Sequence, residues 1–153
     1  MTDATHGPAR PLLGLLLRLL HQHHAQEVDG ALRDAGFGDI RPHYANVFPF
    51  VPDDGIQVVE LARHAGVRKQ SMGQTVEEME RAGYVERRPD PSDGRAKLVF
   101  LTAKGRSVRP VALAAGRRVE ELWADVIGDD LEQLRDTLET LLEHLRARDA
   151  GPR

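Results

Sequence analysis

The sequence predicts a mainly α-helical fold with one small β-hairpin, and three patterns support this prediction. Leucine-rich stretches at both ends of the chain repeat their apolar residues at steps of three and four. Two short stretches with the same spacing lie in the middle, separated by only about three residues, and two β-prone runs follow them. Steps of three and four are typical of amphipathic helices, and β-prone runs around a Pro/Asp/Gly cluster are typical of hairpins.

The first half of the chain contains three predicted helices. A glycine follows each of them, as expected where a chain leaves the helical conformation. The run Pro52-Asp53-Asp54-Gly55 has the composition of a turn. In chain order, the predicted elements are a long helix at 11–35, a short segment at 42–50 that begins with a proline, and short helices at 56–65 and 68–82.

A hairpin is predicted directly after the second short helix. The β-prone runs at 84–88 and 96–101 flank a cluster rich in proline, aspartate and glycine at 89–95, so we expect a long polar tip. Two short helices at a tight turn, followed by a hairpin, are the parts of a winged helix-turn-helix. In such a unit the second helix can enter the major groove of DNA.

The C-terminal part is predicted to form two further helices. Thr102 is the expected N-cap of a long helix at 103–127 that is broken only by Pro110, and Asp129 or Asp130 caps a last helix with heptad-spaced leucines. Together with the first helix, they carry more apolar surface than one small winged helix can cover. This favours a two-fold dimer over an intramolecular bundle.

The predicted organisation is one compact domain with three regions. They are an N-terminal dimerisation helix within 1–40, a DNA-binding region at 41–102 and C-terminal dimerisation helices at 103–153. The net charge of −3 agrees poorly with DNA binding until it is divided along the chain. Residues 63–118 hold 13 Lys/Arg against 6 Asp/Glu, a net charge of +7, while 1–62 and 119–153 carry −4 and −6. A basic stretch between acidic ends is typical of a local polyanion-binding surface.

Several other classes of protein are disfavoured. The chain has 153 residues and no cysteine, which excludes disulfides, thiolate zinc sites, a cysteine nucleophile and a thiol redox switch. No apolar run is long enough to span a membrane and no secretory signal pattern is present, so we expect a cytoplasmic protein without a membrane partner. The motifs G-x-S-x-G, G-x-x-x-x-G-K and H-E-x-x-H do not occur. We therefore expect no enzymatic activity and no cofactor.

The second short helix carries the first group of candidate DNA contacts. Arginine and lysine can pair with guanine or phosphate, glutamine with adenine, and serine with either a base or a phosphate. The candidates are Arg68, Lys69, Gln70, Ser71 and Gln74, while Val67, Met72, Val76 and Met79 are assigned to the core. Gly73 lowers helix propensity, and one use of this loss is a close approach of the helix backbone to DNA.

The hairpin supplies the second group of candidates. An arginine on a thin hairpin can reach the minor groove, and a nearby carboxylate can hold its guanidinium in place. The candidates are Arg87 on the first strand and Asp93, Arg95 and Lys97 near the tip. The alternative for this stretch is a solvated loop of mixed charge.

These motifs resemble the MarR family of bacterial transcription regulators. The family's helix-turn-helix is similar to IQVVELARHAGV at 56–67, QSM at 70–72 and EMERAGYVER at 78–87. Its wing and following helix are similar to DPSDGRAK at 90–97 and LTAKG at 101–105. The resemblance implies a homodimer on a palindromic operator, with wing arginines in the flanking minor grooves and half-sites about 10 base pairs apart. It also implies a small ligand that relieves repression.

Two positions depart from the family pattern. Arg68 stands where members usually have serine or threonine, which removes a side-chain acceptor for the first amides of the helix but can add a phosphate contact. Gln74 stands where many members have arginine, which favours adenine or a weaker contact over guanine. The operator sequence therefore does not transfer from the family.

The resemblance also implies a ligand pocket where the dimerisation helices meet the DNA-binding region. Aromatic surface with a few donors suits a small aromatic or anionic effector. The candidate ligand-binding residues are His24, Arg41, His43, Tyr44, Phe48 and Trp123. Core packing explains Phe48 and Trp123 equally well.

Two further interpretations remain open at this point. The cluster His21-x-His23-His24-x-x-Glu27 has metal-binding side chains, but solvated helix histidines are the ordinary explanation and we assign no metal site. A winged helix can also act as a protein-interaction module without DNA affinity. That alternative predicts no basic bias at Arg68, Lys69, Arg95 and Lys97, which this chain has.

Overall fold

The computed structural model describes residues 10–149, so the outermost parts of the predicted terminal regions, 1–9 and 150–153, lie outside the described residues. The chain divides into two compact units, the first ending at Ala115 and the second beginning at Gly116. The elements are α1 (Leu13–Asp34), a 3-10 helix (Pro42–Asn46), β1 (Ile56–Gln57), α2 (Val58–Ala65), α3 (Lys69–Arg81), β2 (Val85–Asp90), β3 (Asp93–Leu101), α4 (Ala103–Ile127) and α5 (Asp130–Asp149). The predicted winged helix-turn-helix is confirmed.

Glycines end the helices of the helix-turn-helix, as their positions predicted. Gly66 follows α2 in the left-handed conformation, with φ of 66°, and Gly83 follows α3 with φ of 80°. A side chain at either position would be strained, because L-residues rarely adopt positive φ. The connection between α2 and α3 is therefore only Gly66, Val67 and Arg68, which places the two helices at a tight turn.

The sheet has three antiparallel strands in the order β1-β3-β2, one more than the sequence predicted. Ile56 pairs with Val99 and Gln57 with Leu98, so the prediction that the helix begins at Ile56 is wrong by two residues. The apolar spacing continues without a break from β1 into α2. Only the pairing with β3, more than forty residues away, identifies the strand, and no local sequence pattern indicates that pairing.

The predicted long tip of the hairpin is also wrong. β2 continues to Asp90 and β3 begins at Asp93, so Pro91 and Ser92 alone form the turn. The Asp90 carboxylate accepts hydrogen bonds from the backbone N–H and the hydroxyl of Ser92, which stabilises a tight turn that a Pro/Asp/Gly count does not reveal. Pro89 is tolerated because β2 is an edge strand.

The core of the first unit joins all of these elements. Its buried side chains come from α1, the 3-10 segment, α2, α3, the sheet and the first turns of α4. The fully buried members include Val47, Val51, Leu61, Met72, Val76, Met79, Tyr84, Val85, Val99 and Val108. Met72, Val76 and Met79 were assigned to the core from sequence, and the structure confirms this; Val67 is half-buried against the same cluster.

The start of α4 is fixed against the end of α3. The Thr102 hydroxyl accepts a hydrogen bond from the Gly105 N–H at 3.1 Å, the predicted N-cap, and donates to the Gly83 carbonyl at 2.6 Å. A Cβ on Gly105 would lie 2.1 Å from the Tyr84 carbonyl oxygen, so only glycine permits this approach. The helix continues through Pro110, so the expected break at this residue is wrong.

The second unit, as far as residue 149, consists of the end of α4 and α5. Arg135 donates to the Glu120 carboxylate at 2.9 Å, which ties the two helices together. No residue of α5 is buried, and several of its leucines are among the exposed large side chains, namely Leu134, Leu141, Leu142 and Leu145. Among the described helices of the chain, none combines the length and apolar character needed to cross a bilayer.

Candidate nucleic-acid interface

Helix α3 has two distinct faces. Met72, Val76 and Met79 are at most 1% exposed and face the core. The predicted contact residues lie on the solvent side, and all five are exposed: Arg68, Lys69, Gln70, Ser71 and Gln74. The packing of one face therefore fixes which side chains the other face presents.

The N-terminus of α3 carries positive charge and open backbone donors. Arg68 is the N-cap residue, and its side chain makes no capping hydrogen bond. The first turn contains Lys69 and no acidic residue. Because the first amides of a helix have no acceptor within the helix, they and the partial positive charge of the helix dipole favour an anion at this end.

The wing places two further cations in solvent. Arg95 and Lys97 are exposed on β3. Arg95 lies in an irregular part of the ladder, because the pairing passes from Pro89 with Lys97 directly to Asp90 with Asp93, and Gly94, Arg95 and Ala96 have no partner in β2. Such a bulge turns the strand and changes the direction of its side chains.

Asp93 does not hold Arg95 in the way the sequence suggested. Its carboxylate accepts a hydrogen bond from the Arg95 backbone N–H at 3.1 Å. Within residues 10–149, no carboxylate lies within 4.0 Å of the Arg95 guanidinium, so the expected ion pair is wrong. Asp93 shapes the backbone at the tip and leaves the guanidinium available.

Arg87 differs from the other candidates because its half-buried guanidinium is hydrogen-bonded to another side chain of the protein. Its Nε and Nη2 atoms donate to Glu80 Oε2 at 3.0 and 2.6 Å, and its backbone N–H donates to Glu80 Oε1 at 3.2 Å. This hydrogen bonding holds the pKa of the Glu80 carboxyl below its usual range and raises the pKa of Arg87. The contact joins the outer side of α3 to the first strand of the wing.

Sequence analysis missed Glu80 and Asp90, although one of them left a local signal. Asp90-Pro91-Ser92 has the composition of a turn in which an aspartate side chain accepts from the backbone two residues later. Six residues lie between Glu80 and Arg87, and they include the end of a helix and the start of a strand, so no helical or strand spacing brings the two side chains together.

The candidate effector residues separate into buried and accessible groups. Tyr44 and Phe48 are 3% and 8% exposed and pack edge-on against Tyr84, so they belong to the core. His43 lies edge-on to Tyr44 and its Nε2 is 2.8 Å from Glu78 Oε2 on α3. Burial raises the pKa of Tyr44, with Glu78 adding to the rise and Arg41 opposing it. Arg41 precedes Tyr44 by three residues, and its carbonyl accepts a hydrogen bond from the Tyr44 N–H at 2.9 Å.

The other two candidates lie on the long helices. His24 is half-buried on α1, in the first unit, and Trp123 is half-buried on α4, in the second. The structure therefore brings Arg41, His43, Tyr44 and Phe48 together. Within the described range 10–149, no three or more histidine, aspartate or glutamate side chains are arranged to hold a metal ion.

Comparison with known proteins gives consistent matches. The model of the MarR family matches residues 51–96, from the turn before β1 into β3. The transcriptional regulator HosA of Escherichia coli O111:H- is 30% identical over 118 residues, which cover 77% of this chain and 84% of HosA. The crystal structure of MarR superposes with a TM-score of 0.75 at 25% identity and covers 96% of this chain and 100% of that one.

A third relative was crystallised with a ligand. CouR from Rhodococcus jostii RHA1, bound to p-coumaroyl-CoA, superposes with a TM-score of 0.67 at 29% identity. The match covers 84% of this chain and 90% of CouR.

Proposed function

Because this chain belongs to the MarR family of transcription regulators, we propose that it is a ligand-responsive repressor that binds a palindromic operator as a homodimer and occludes a promoter. The observation that carries this proposal is the exposed face of α3, which combines two cations with Gln70, Ser71 and Gln74 beside an exposed wing arginine. Cations give affinity for phosphate, and amide and hydroxyl groups give base recognition.

The two parts of the surface have different tasks. Helix α3 lies in the major groove, where Gln70, Ser71 and Gln74 contact bases and Arg68 and Lys69 contact phosphates or guanine. Arg95 enters the minor groove, where narrow A/T tracts concentrate negative potential. Lys97 contacts the backbone beside it. Arg87 and Asp93 serve by shaping the wing, since their side chains are bonded within the protein.

The open N-terminus of α3 adds a phosphate contact. A serine or threonine at the N-cap would satisfy the first amides internally. Arg68 leaves these amides unbonded by a side chain, and it adds its own positive charge. A DNA phosphate at this end is therefore held by the backbone, by Arg68 and by the helix dipole together.

A second copy of the chain covers the exposed leucines. α1 exposes Leu13, Leu16, Leu17 and Leu20, and α5 separately exposes Leu134, Leu141, Leu142 and Leu145. Contiguous apolar surface on long helices is costly in water and is typical of an interface. A two-fold dimer presents two α3 helices, and we expect its half-sites about 10 base pairs apart.

A small aromatic or anionic effector releases the DNA. The ligand of CouR, p-coumaroyl-CoA, supports an aromatic ligand, and the exposed Arg41 beside the half-buried His43 supplies donors for an anionic group. Tyr44 and Phe48 are too buried to offer their ring faces. His43 connects such a site to α3 because it is bonded to Glu78.

Selection of DNA by the purified chain tests the proposal. The chain is incubated with random-sequence duplexes, bound duplexes are recovered over several rounds, and the enriched sequence is compared with a shuffled one of the same composition. We expect an inverted repeat that binds at least about a thousandfold more tightly than the shuffled duplex, which is the lower end of the usual range for specific binding of about 10³–10⁷. Equal binding of both duplexes would contradict operator recognition.

A further inference from the structure

Asp90 has an unusual environment for a residue in an exposed wing. Asp90 is 7% exposed, and no other aspartate or glutamate within residues 10–149 is buried. Its sequence neighbours Pro89, Pro91 and Ser92 are all exposed. Charged groups are rarely buried unless hydrogen bonds replace the lost water, so the contacts of Asp90 need an explanation.

Both oxygens of the Asp90 carboxylate accept hydrogen bonds. Oδ1 accepts hydrogen bonds from the backbone N–H and the hydroxyl of Ser92, at 2.9 and 2.7 Å. Oδ2 accepts a hydrogen bond from Gln57 Nε2 at 2.8 Å. The bonds from Ser92, followed by the bond from Gln57, hold the pKa of Asp90 below its usual range. The carboxylate is therefore ionised and firmly bonded at neutral pH.

The bond from Gln57 crosses the sheet. Gln57 lies on β1, and Asp90 lies at the end of β2, with the middle strand β3 between them. Gln57 is also the N-cap residue of α2, but its side chain makes no capping hydrogen bond. Its amide instead connects the start of α2 to the tip of the wing.

The wing is least regular where this connection is made. The pairing between β2 and β3 shifts between Pro89 and Asp90, and Arg95 lies in the part of β3 that has no partner in β2. Ladder pairing therefore holds the tip only through Asp90 and Asp93, and it leaves Gly94, Arg95 and Ala96 without a partner in β2. The bond between Gln57 and Asp90 gives the tip a second attachment, from the strand on the far side of β3.

We propose that Gln57 and Asp90 form a latch that fixes the direction of the wing, so that Arg95 reaches the DNA while helix α3 occupies its groove. Gln57 and Asp90 are positioning residues in this account and do not touch DNA. The inference rests on the proposed function, since it concerns how the same surface engages an operator. A contact displaced by a fraction of an ångström loses much of its strength, so the latch affects affinity without adding a contact.

The test uses Gln57→Asn and the duplex that the parent chain enriches from random DNA. Asparagine is too short to reach Asp90, but it is a favourable N-cap residue for α2. We therefore expect Gln57→Asn to keep or raise thermal stability while the affinity for the duplex falls about three- to tenfold, as for the loss of one ordinary hydrogen bond. A purely structural role would lower both quantities together.

A double-substitution cycle shows whether the latch acts through Arg95. In the Arg95→Ala background, we expect Gln57→Asn to cause no further loss of affinity, since there is no arginine left to position. The combination of Gln57→Glu with Asp90→Asn restores a hydrogen bond in the reverse direction, and we expect it to recover most of the parent's affinity. Gln57→Glu alone is expected to bind weakly, because it sets two carboxylates against each other. Asp90→Asn alone is expected to lose less, because the Gln57 amide can turn and accept a hydrogen bond from the new amide.

The possible failures are distinguishable. If the parent chain enriches no duplex, the proposed function fails and the latch fails with it. If the parent binds its duplex and Gln57→Asn binds equally well, the latch alone is overturned. Equal losses from Gln57→Asn in the parent and in the Arg95→Ala background would likewise show that Gln57 does not act through Arg95.

Discussion

Arg95 carries the proposed minor-groove contact, and its removal is the simplest substitution to interpret. Its guanidinium is exposed and unpaired with any carboxylate of residues 10–149, so Arg95→Ala removes no ion pair from the folded chain. We expect Arg95→Ala to make the free energy of binding to the selected duplex less favourable by about 1–3 kcal/mol, as measured by fluorescence anisotropy.

Arg88→Ala is the matched control for Arg95→Ala. It removes the same charge from the neighbouring strand β2, where the guanidinium bonds to Glu86 and lies 4.6 Å from the Phe100 ring centroid. Because that guanidinium is held at the protein surface, we expect a clearly smaller loss of affinity. Equal losses in the two variants would mean that the wing contributes charge alone and that Arg95 has no special position.

Gly73 gives opposite predictions for stability and for binding. It lies within α3, and a Cβ built on it would have no atom within 4 Å. Gly73→Ala should therefore raise the free energy of unfolding by about 0.5–1 kcal/mol, because alanine restricts the unfolded chain and favours helix. Chemical denaturation measures this change.

The same substitution should weaken binding to the selected duplex if the α3 backbone approaches DNA at Gly73. Gln70→Ala, on the same helix, is the comparison, because it removes a proposed base contact and leaves the backbone approach unchanged. A Gly73→Ala chain that is more stable and binds as tightly as the parent would show that α3 does not use this position for close approach.

Helix α5 provides the prediction for assembly. None of its residues is buried, and Leu141 is 46% exposed on its surface. Leu141→Glu should convert the proposed homodimer to a monomer, because a charge at a hydrophobic interface is costly to bury. Sedimentation equilibrium measures the mass, and Gln133→Glu introduces the same charge on the same helix at a polar position. If both variants keep the parent's mass, α5 is not the interface.

The helices show how far local sequence patterns reach. Apolar spacing together with a glycine after each helix predicted α1, α2 and α3 to within a few residues, because both signals depend only on neighbouring residues. The strand β1 was missed, since the two residues Ile56 and Gln57 are identified only by their pairing with β3. The turn at Pro91 and Ser92 was predicted too long because its stability comes from the Asp90 side chain.

The sequence predicted which side chains of the candidate site are exposed, but it did not predict the hydrogen bonds that connect the site to the rest of the protein. The outward face of α3 follows from the positions of Met72, Val76 and Met79 in the core, so its contact residues could be named from sequence. The partners of Arg87 and Asp90 could not be named, since Glu80 and Gln57 reach them across elements. Those contacts depend on tertiary structure, which residue type and spacing do not encode locally.

Tyr84 joins several parts of the first unit and predicts its behaviour in alkali. Its hydroxyl donates to Asp39, and Lys104 Nζ lies 4.0 Å from its ring centroid. Burial, and then the bond to Asp39, raise its pKa far above the ordinary tyrosine value of about 10. Above that pH the unfolded chain releases the Tyr84 proton while the folded chain retains it, so the free energy of unfolding falls as pH rises.

Tyr84→Phe isolates this effect. The variant should be less stable than the parent at pH 8, because Asp39 loses its bond, but its stability should fall less between pH 10 and 11.5. The chain has 2 tyrosines, and burial also raises the pKa of Tyr44, so part of the fall should remain. Urea denaturation across this range measures both variants. Parallel curves would contradict the role assigned to Tyr84.

The dependence of DNA binding on salt tests the whole account of the basic surface. The chain has a net charge of −3, so only its cationic middle can give a strong attraction to DNA. We predict that the logarithm of the affinity for the selected duplex falls linearly and steeply with the logarithm of salt concentration, and that Lys69→Ala reduces the slope by about one per protomer in contact. A flat response of the parent, or an unchanged slope after Lys69→Ala, would contradict the account.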